Sequence, residues 1–97
     1  MNFQDKTVVV TGAGRSIGAH VVSRFAAEGA RVVVADINSK AAQQVSASIP
    51  GSMSFHLDVT SRDSLQRMFD AVSEEFGGID VLINNAATAS DTPFLEL

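Results

Sequence analysis

The sequence predicts a three-layer α/β fold around a parallel sheet, and three observations predict it. Two valine runs, Val8-Val9-Val10 and Val32-Val33-Val34, show no polar/apolar alternation, as expected of strands covered by helices on both faces. Segments with apolar residues at helical spacing separate these runs from each other and from two later apolar runs. A glycine-rich stretch, Thr11-Gly12-Ala13-Gly14-Arg15-Ser16-Ile17-Gly18, follows directly on the first of them. Right-handed crossovers then place the strands in the order 3-2-1-4.

The first strand is expected over Thr7 to Thr11. A helix follows from about Ser16 to Glu28, with Ile17, Val21, Val22, Phe25 and Ala26 forming its apolar stripe. Gly29 is placed to end that helix through a left-handed backbone conformation. The second strand runs from about Arg31 to Asp36. Asn38 or Ser39 caps a helix reaching about Ser48, with Ala41, Ala42 and Val45 inward, and Pro50-Gly51 closes the segment. A short third strand, Ser54 to Leu57, leads into Asp58-Val59. Thr60 or Ser61 caps a helix to about Phe76 with Leu65, Met68, Phe69 and Val72 inward, and Gly77-Gly78 breaks it. The fourth strand, Ile79 to Ile83, is apolar except for Asp80 and ends in Asn84-Asn85-Ala86-Ala87.

Bulk properties narrow the partners. The 97 residues allow one domain at most, and 45% hydrophobic content is that of a globular chain. Seven basic and eleven acidic residues give a net charge of −4 with no basic cluster, which argues against nucleic acid or an anionic membrane as partner. Absence of cysteine removes disulfides and thiolate metal sites and is compatible with a reducing, cytoplasmic setting. No signal peptide precedes the first strand, and no apolar run approaches the roughly 20 residues that span a bilayer.

Strand, glycine-rich turn, helix, then a second strand tipped by a carboxylate is the layout of a dinucleotide site. Gly12 and Gly18 bring the backbone close to a pyrophosphate, and the helix opening after them directs unpaired N–H groups at it. Gly14 is read as backbone freedom within the turn. Ser16 either caps the helix or donates its hydroxyl to a phosphate. Asp36 either ends a strand on the surface or selects the cofactor, accepting ribose hydroxyls from NAD and repelling the extra phosphate of NADP. Arg15 pulls toward NADP, but it can turn to solvent, whereas the carboxylate cannot leave the ribose position. Asp58 either meets the adenine amine or takes part in capping at Thr60. Asn84 and Asn85 carry amides able to bridge neighbouring loops. His56 is read as a plain strand histidine.

These motifs resemble those of the short-chain dehydrogenase/reductase family. Its Thr-Gly-x-x-x-Gly-x-Gly motif is matched by Thr11, Gly12 and Gly18 around Ile17, with Ser16 in place of the middle glycine. The acid of NAD-preferring members is matched by Asp36. Its Asp-Val pair is matched by Asp58-Val59, and its Asn-Asn-Ala-Gly signature by Asn84-Asn85-Ala86 with Ala87 replacing the glycine.

The resemblance covers essentially the whole chain. It implies a Rossmann-type three-layer sandwich truncated after its fourth strand, with residues 1–97 the N-terminal part of a single dinucleotide-binding domain. Cofactor contacts are implied for Gly12, Gly14, Arg15, Ser16, Ile17, Gly18, Asp36, Ile37, Asp58, Val59, Asn85, Ala86 and Ala87, and no metal ligand. NAD is the expected cofactor and NADP the lesser fit.

Hydride transfer between nicotinamide and a secondary alcohol, sugar or polyol, or carbonyl compound is the implied reaction. The family's serine and Tyr-x-x-x-Lys residues have no counterpart here: there is no tyrosine, and Lys6 and Lys40 follow none. These 97 residues alone are therefore expected to be inactive, and the full-length protein to form a homodimer or homotetramer. The alternative is a non-catalytic dinucleotide-binding or regulatory module. A coding sequence that continues past Leu97 into serine and Tyr-x-x-x-Lys separates the two.

Overall fold

The computed structural model describes residues 3–14 and 16–85. Strands and helices alternate as β1 (Thr7–Thr11), α1 (Ser16–Ala27), β2 (Arg31–Asp36), α2 (Ser39–Ala47), β3 (Met53–His56), α3 (Arg62–Phe76) and β4 (Val81–Asn84). All strand pairs are parallel, in the order β3-β2-β1-β4. Val9 pairs with Val33 on one side and Leu82 on the other, and Thr11 ends level with Ala35 and Asn84. The strand order thus reverses between the C-terminal ends of β1 and β4, where open α/β sheets receive ligands.

The valine runs explain the layers. Side chains alternate between faces of a strand, so an unbroken apolar run must be covered on both. Val8, Val10, Val32 and Val34 pack with Val22 of α1 and Ala42 of α2. Val9, Val33 and Ala35 pack on the opposite face with Leu57 and with Met68 and Val72 of α3. Each fully buried valine contributes on the order of 1.5–3 kcal/mol, so the two faces of the first two strands dominate the core. Among the described residues no helix is long and apolar enough to cross a membrane.

Local chemistry sets the boundaries. Asn38 caps α2 by accepting the Ala41 N–H, and Ser61 rather than Thr60 caps α3 by accepting the Ser64 N–H at 3.1 Å. Gly29, at φ +93°, ends α1 one residue earlier than expected, and α2 likewise stops at Ala47. The third strand sits one residue earlier than the sequence suggests. Leu57 stays buried, but its N–H goes to the Asp36 carbonyl just past the ladder.

The fourth strand begins later, at Val81, because Asp80 is drawn across to β1. Its N–H donates to the Thr7 carbonyl at 2.9 Å, and its carboxylate accepts the Thr7 N–H at 2.8 Å.

Two apolar positions differ from expectation. Ile17 is 70% exposed, because the buried face of α1 passes through Gly18 and Val22 and Ile17 precedes it in the first turn. Phe69 is 38% exposed. The row Ser64, Met68, Val72 meets the sheet, and a residue one step past Met68 is turned about 100° away from it.

Candidate functional site

The turn after β1 is built by close approach. Gly12 holds φ +66°, a conformation that side chains disfavour. Ala13 then donates its N–H to the Ala35 carbonyl at 3.0 Å, and Gly14 donates its own to Asp36 Oδ2 at 2.9 Å. Gly14 is not among the positive-φ glycines, so backbone freedom is not the reason for it. Space is: a Cβ there would stand 2.8 Å from Ala41 Cβ and 3.0 Å from Asp36 Oδ2. At Gly18 a Cβ would overlap the Gly12 carbonyl oxygen and stand 2.8 Å from Ala13 Cα and 2.9 Å from Asn85 Nδ2. The start of α1, the turn and the end of β4 therefore close on a point that only glycine fits. Arg15, the Ser16 side chain, Ala86 and Ala87 lie outside the described residues.

Asp36 ends β2 and is 2% exposed. Asn38 N–H donates to its Oδ1 at 2.9 Å, opposite the Gly14 bond on Oδ2. The reading of Asp36 as a plain surface acid is thereby corrected, since its charge is met by two backbone donors inside the fold. Ile37, next along, is 54% exposed.

Asp58 follows β3 on the same rim. Its Oδ1 accepts the Thr60 hydroxyl at 2.6 Å and the Thr60 N–H at 2.9 Å, while its own N–H goes to Ser64 Oγ at 3.0 Å. The Thr60 hydroxyl, then the Thr60 N–H, hold the carboxyl below the ordinary aspartate value; the small desolvation there opposes them and nearby His56 adds a little. Oδ2 is left outside these bonds. Val59 beside it is half-buried.

Thr11 links the two strands at the switch point. Its hydroxyl donates to Asn84 Oδ1 at 2.8 Å and accepts the Asn85 N–H at 3.0 Å. The sequence marks Thr11 only through the glycine-rich motif. Its bridging role has a faint signal, a hydroxyl residue closing an apolar strand opposite an asparagine pair. Asp80 carries a similar one, a carboxylate just ahead of an apolar run.

The arrangement fits a dinucleotide on the structure's own terms: a cradle that any Cβ would fill, at the switch point, with Asp36 at the end of the adjoining strand β2 and Asp58 just past β3 beyond it. Comparison with known proteins agrees. The model of the short chain dehydrogenase family matches residues 6–97. The meso-2,3-butanediol dehydrogenase of Serratia marcescens is 46% identical over 88 residues, 89% of this chain and 35% of that protein. The galactitol 2-dehydrogenase of Agrobacterium fabrum is 44% identical over 94 residues, 96% of this chain and 37% of that protein.

Among solved structures, a 7α-hydroxysteroid dehydrogenase complexed with NADH and 7-oxo glycochenodeoxycholic acid superposes with a TM-score of 0.86 at 35% identity, covering 90% of this chain and 36% of the other. The chain thus spans little more than a third of the length of these relatives. With the family model matched from just before β1 through Leu97, the chain belongs to the short-chain dehydrogenase family.

Proposed function

We propose that this chain is the dinucleotide-binding part of an oxidoreductase that prefers NAD to NADP. Its substrate is a secondary alcohol, a sugar or polyol, or the matching carbonyl compound. Residues 1–97 form the N-terminal part of one Rossmann domain in a protein that assembles as a homodimer or homotetramer. The observation that carries the reading is the Gly12–Gly18 cradle, closed against Asn85, with Asp36 ending the adjoining strand. The substrate class rests on the relatives, two of which are named for the oxidation of a diol and of a sugar alcohol.

The residues divide the work. Gly12 and Gly18 let the backbone approach a pyrophosphate, and the first turn of α1 offers it N–H groups that no helical carbonyl has taken. Gly14, Arg15, Ser16 and Ile17 are further cofactor contacts in this reading. The lone pairs of Asp36 not used by Gly14 and Asn38 receive the adenosine ribose hydroxyls, and its charge opposes a 2′-phosphate. Asp58, its carboxyl held below the ordinary aspartate value by Thr60, presents Oδ2 to the adenine amine, with Ile37 and Val59 as apolar flanks. Asn85, Ala86 and Ala87, next in sequence after β4, are further cofactor contacts in this reading. The nicotinamide, when bound, supplies the hydride donor or acceptor.

Binding of NAD and NADP to the full-length protein and to its Asp36→Ala variant tests the preference. The wild-type protein should bind NAD more tightly, and the variant should narrow the ratio, with Asp36→Asn narrowing it less. An unchanged ratio would remove Asp36 from cofactor selection.

A further inference from the structure

One carboxylate ties the glycine-rich turn to the start of α2. Gly14 donates its N–H to Asp36 Oδ2 and Asn38 donates its N–H to Asp36 Oδ1, each at 2.9 Å. Asn38 in turn accepts the Ala41 N–H at 3.0 Å. Gly14 lies so close to α2 that a Cβ on it would press on Ala41. A carboxylate serving only a ligand would keep its oxygens open to solvent. This one is buried, and burial of a charge is costly unless donors meet it. The donors come from two separate segments, and bonds from N–H groups to a charged oxygen are among the stronger ones in proteins.

We propose that Asp36 is a positioning residue whose carboxylate latches the glycine-rich turn onto α2, so that the turn is set for the pyrophosphate before the adenosine ribose arrives. The proposal rests on the dinucleotide reading of this rim and deepens it. Holding the turn and reading hydroxyls are separable, because each carboxylate oxygen has a second lone pair beyond the one that accepts an N–H. Loss of the carboxylate then weakens cofactor binding by two routes, and only one of them involves the ribose.

An NAD analogue lacking both hydroxyls of the adenosine ribose isolates the other route. A residue that only reads hydroxyls has no influence on this analogue. In the full-length protein, Asp36→Asn puts an NH₂ group against one of the two backbone donors and should weaken analogue binding about tenfold, the scale of one bond to a charged group. Amide exchange at Gly14 and Asn38 should accelerate about as much, while Val33 and Val34 in the sheet centre keep their wild-type rates.

Equal analogue affinity in the two proteins overturns the proposal. So does a Gly14 amide that exchanges at an unprotected rate in the wild-type protein, a measurement that needs no variant to fold. Wild-type protein that binds neither NAD nor NADP, yet protects the Gly14 amide, overturns the dinucleotide reading and leaves the latch standing.

Discussion

Thr11 Oγ1 and Asn84 Oδ1 lie 2.8 Å apart across the two strands whose ends form the switch point. The same hydroxyl accepts the Asn85 N–H, and the Asn85 amide nitrogen in turn stands against Gly18. Thr11 therefore connects the sheet to the glycine that closes the cradle, and its side chain is buried.

Thr11→Val keeps the shape and β-branching of the side chain but removes its hydroxyl's bonds, those to Asn84 and Asn85 among them. Asn84 Oδ1 loses its donor and the Asn85 N–H loses its acceptor, a penalty of about 1–3 kcal/mol when the orphaned group is buried. The urea midpoint of the full-length protein should fall accordingly, and Thr11→Ser should recover most of the loss. Equal midpoints for the valine and wild-type proteins would show that Thr11 acts only as an apolar strand residue.

Gly18→Val should abolish cofactor binding by forcing atoms into the Gly12 carbonyl, Ala13 and the Asn85 amide. Overpacking of this kind typically costs about 1–3 kcal/mol. Here most of the obstruction is backbone, which cannot swing aside as a long side chain would. Calorimetric titration with NAD checks it, alongside circular dichroism to establish that the variant is folded. A folded variant with wild-type affinity would place the cofactor elsewhere.

The fold was legible because its strongest signals are local. Val8-Val9-Val10 and Val32-Val33-Val34 are short, β-branched and unalternated, as two-faced strands are, and Asn38, Ser61 and Gly29 punctuate the helices where cap chemistry says they should. The errors arise where a tertiary partner decides. Asp80 delays β4 because the Thr7 N–H claims its carboxylate, and no window of sequence contains both residues. Gly14 looked like a conformational choice, yet its constraint comes from Ala41, a residue on another helix. Asp36 was recognisable as an acid at a strand end, but its burial between two backbone donors depends on how the turn folds back over β2.

Thr60→Val should raise the Asp58 carboxyl toward its ordinary value, since the hydroxyl is the largest cause of its depression. The sign of the pH effect follows. A depressed value in the folded state means that the folded protein binds fewer protons than the unfolded chain. The Asp58–Thr60 contribution is then present above the unfolded-state value and lost as pH falls through the lower, folded one. The wild-type protein should accordingly lose more stability than Thr60→Val across the acid range below the ordinary aspartate value. Carbon-detected NMR titration of the Asp58 carboxyl reads the shift directly. An unmoved titration midpoint would assign the depression to something other than Thr60.

The polypeptide of residues 1–97 by itself should oxidise no secondary alcohol, whether or not it binds NAD. Removing hydride from an alcohol also requires a group to take the hydroxyl proton, placed within hydrogen-bond reach of it. The family's tyrosine cannot be that group, because the sequence contains no tyrosine. Asp36 ends β2, one strand away from the switch point between β1 and β4, and Asp58 lies farther off, past β3, its carboxyl made a weaker base by Thr60. His56 sits on the edge strand β3, two strands away from the switch point between β1 and β4, and His20 is exposed on α1. A sustained rise in NADH absorbance, with the pure 97-residue polypeptide and a panel of secondary alcohols and polyols, would overturn this expectation. A flat trace from the polypeptide and turnover by the full-length protein would place the proton-transfer group outside these residues.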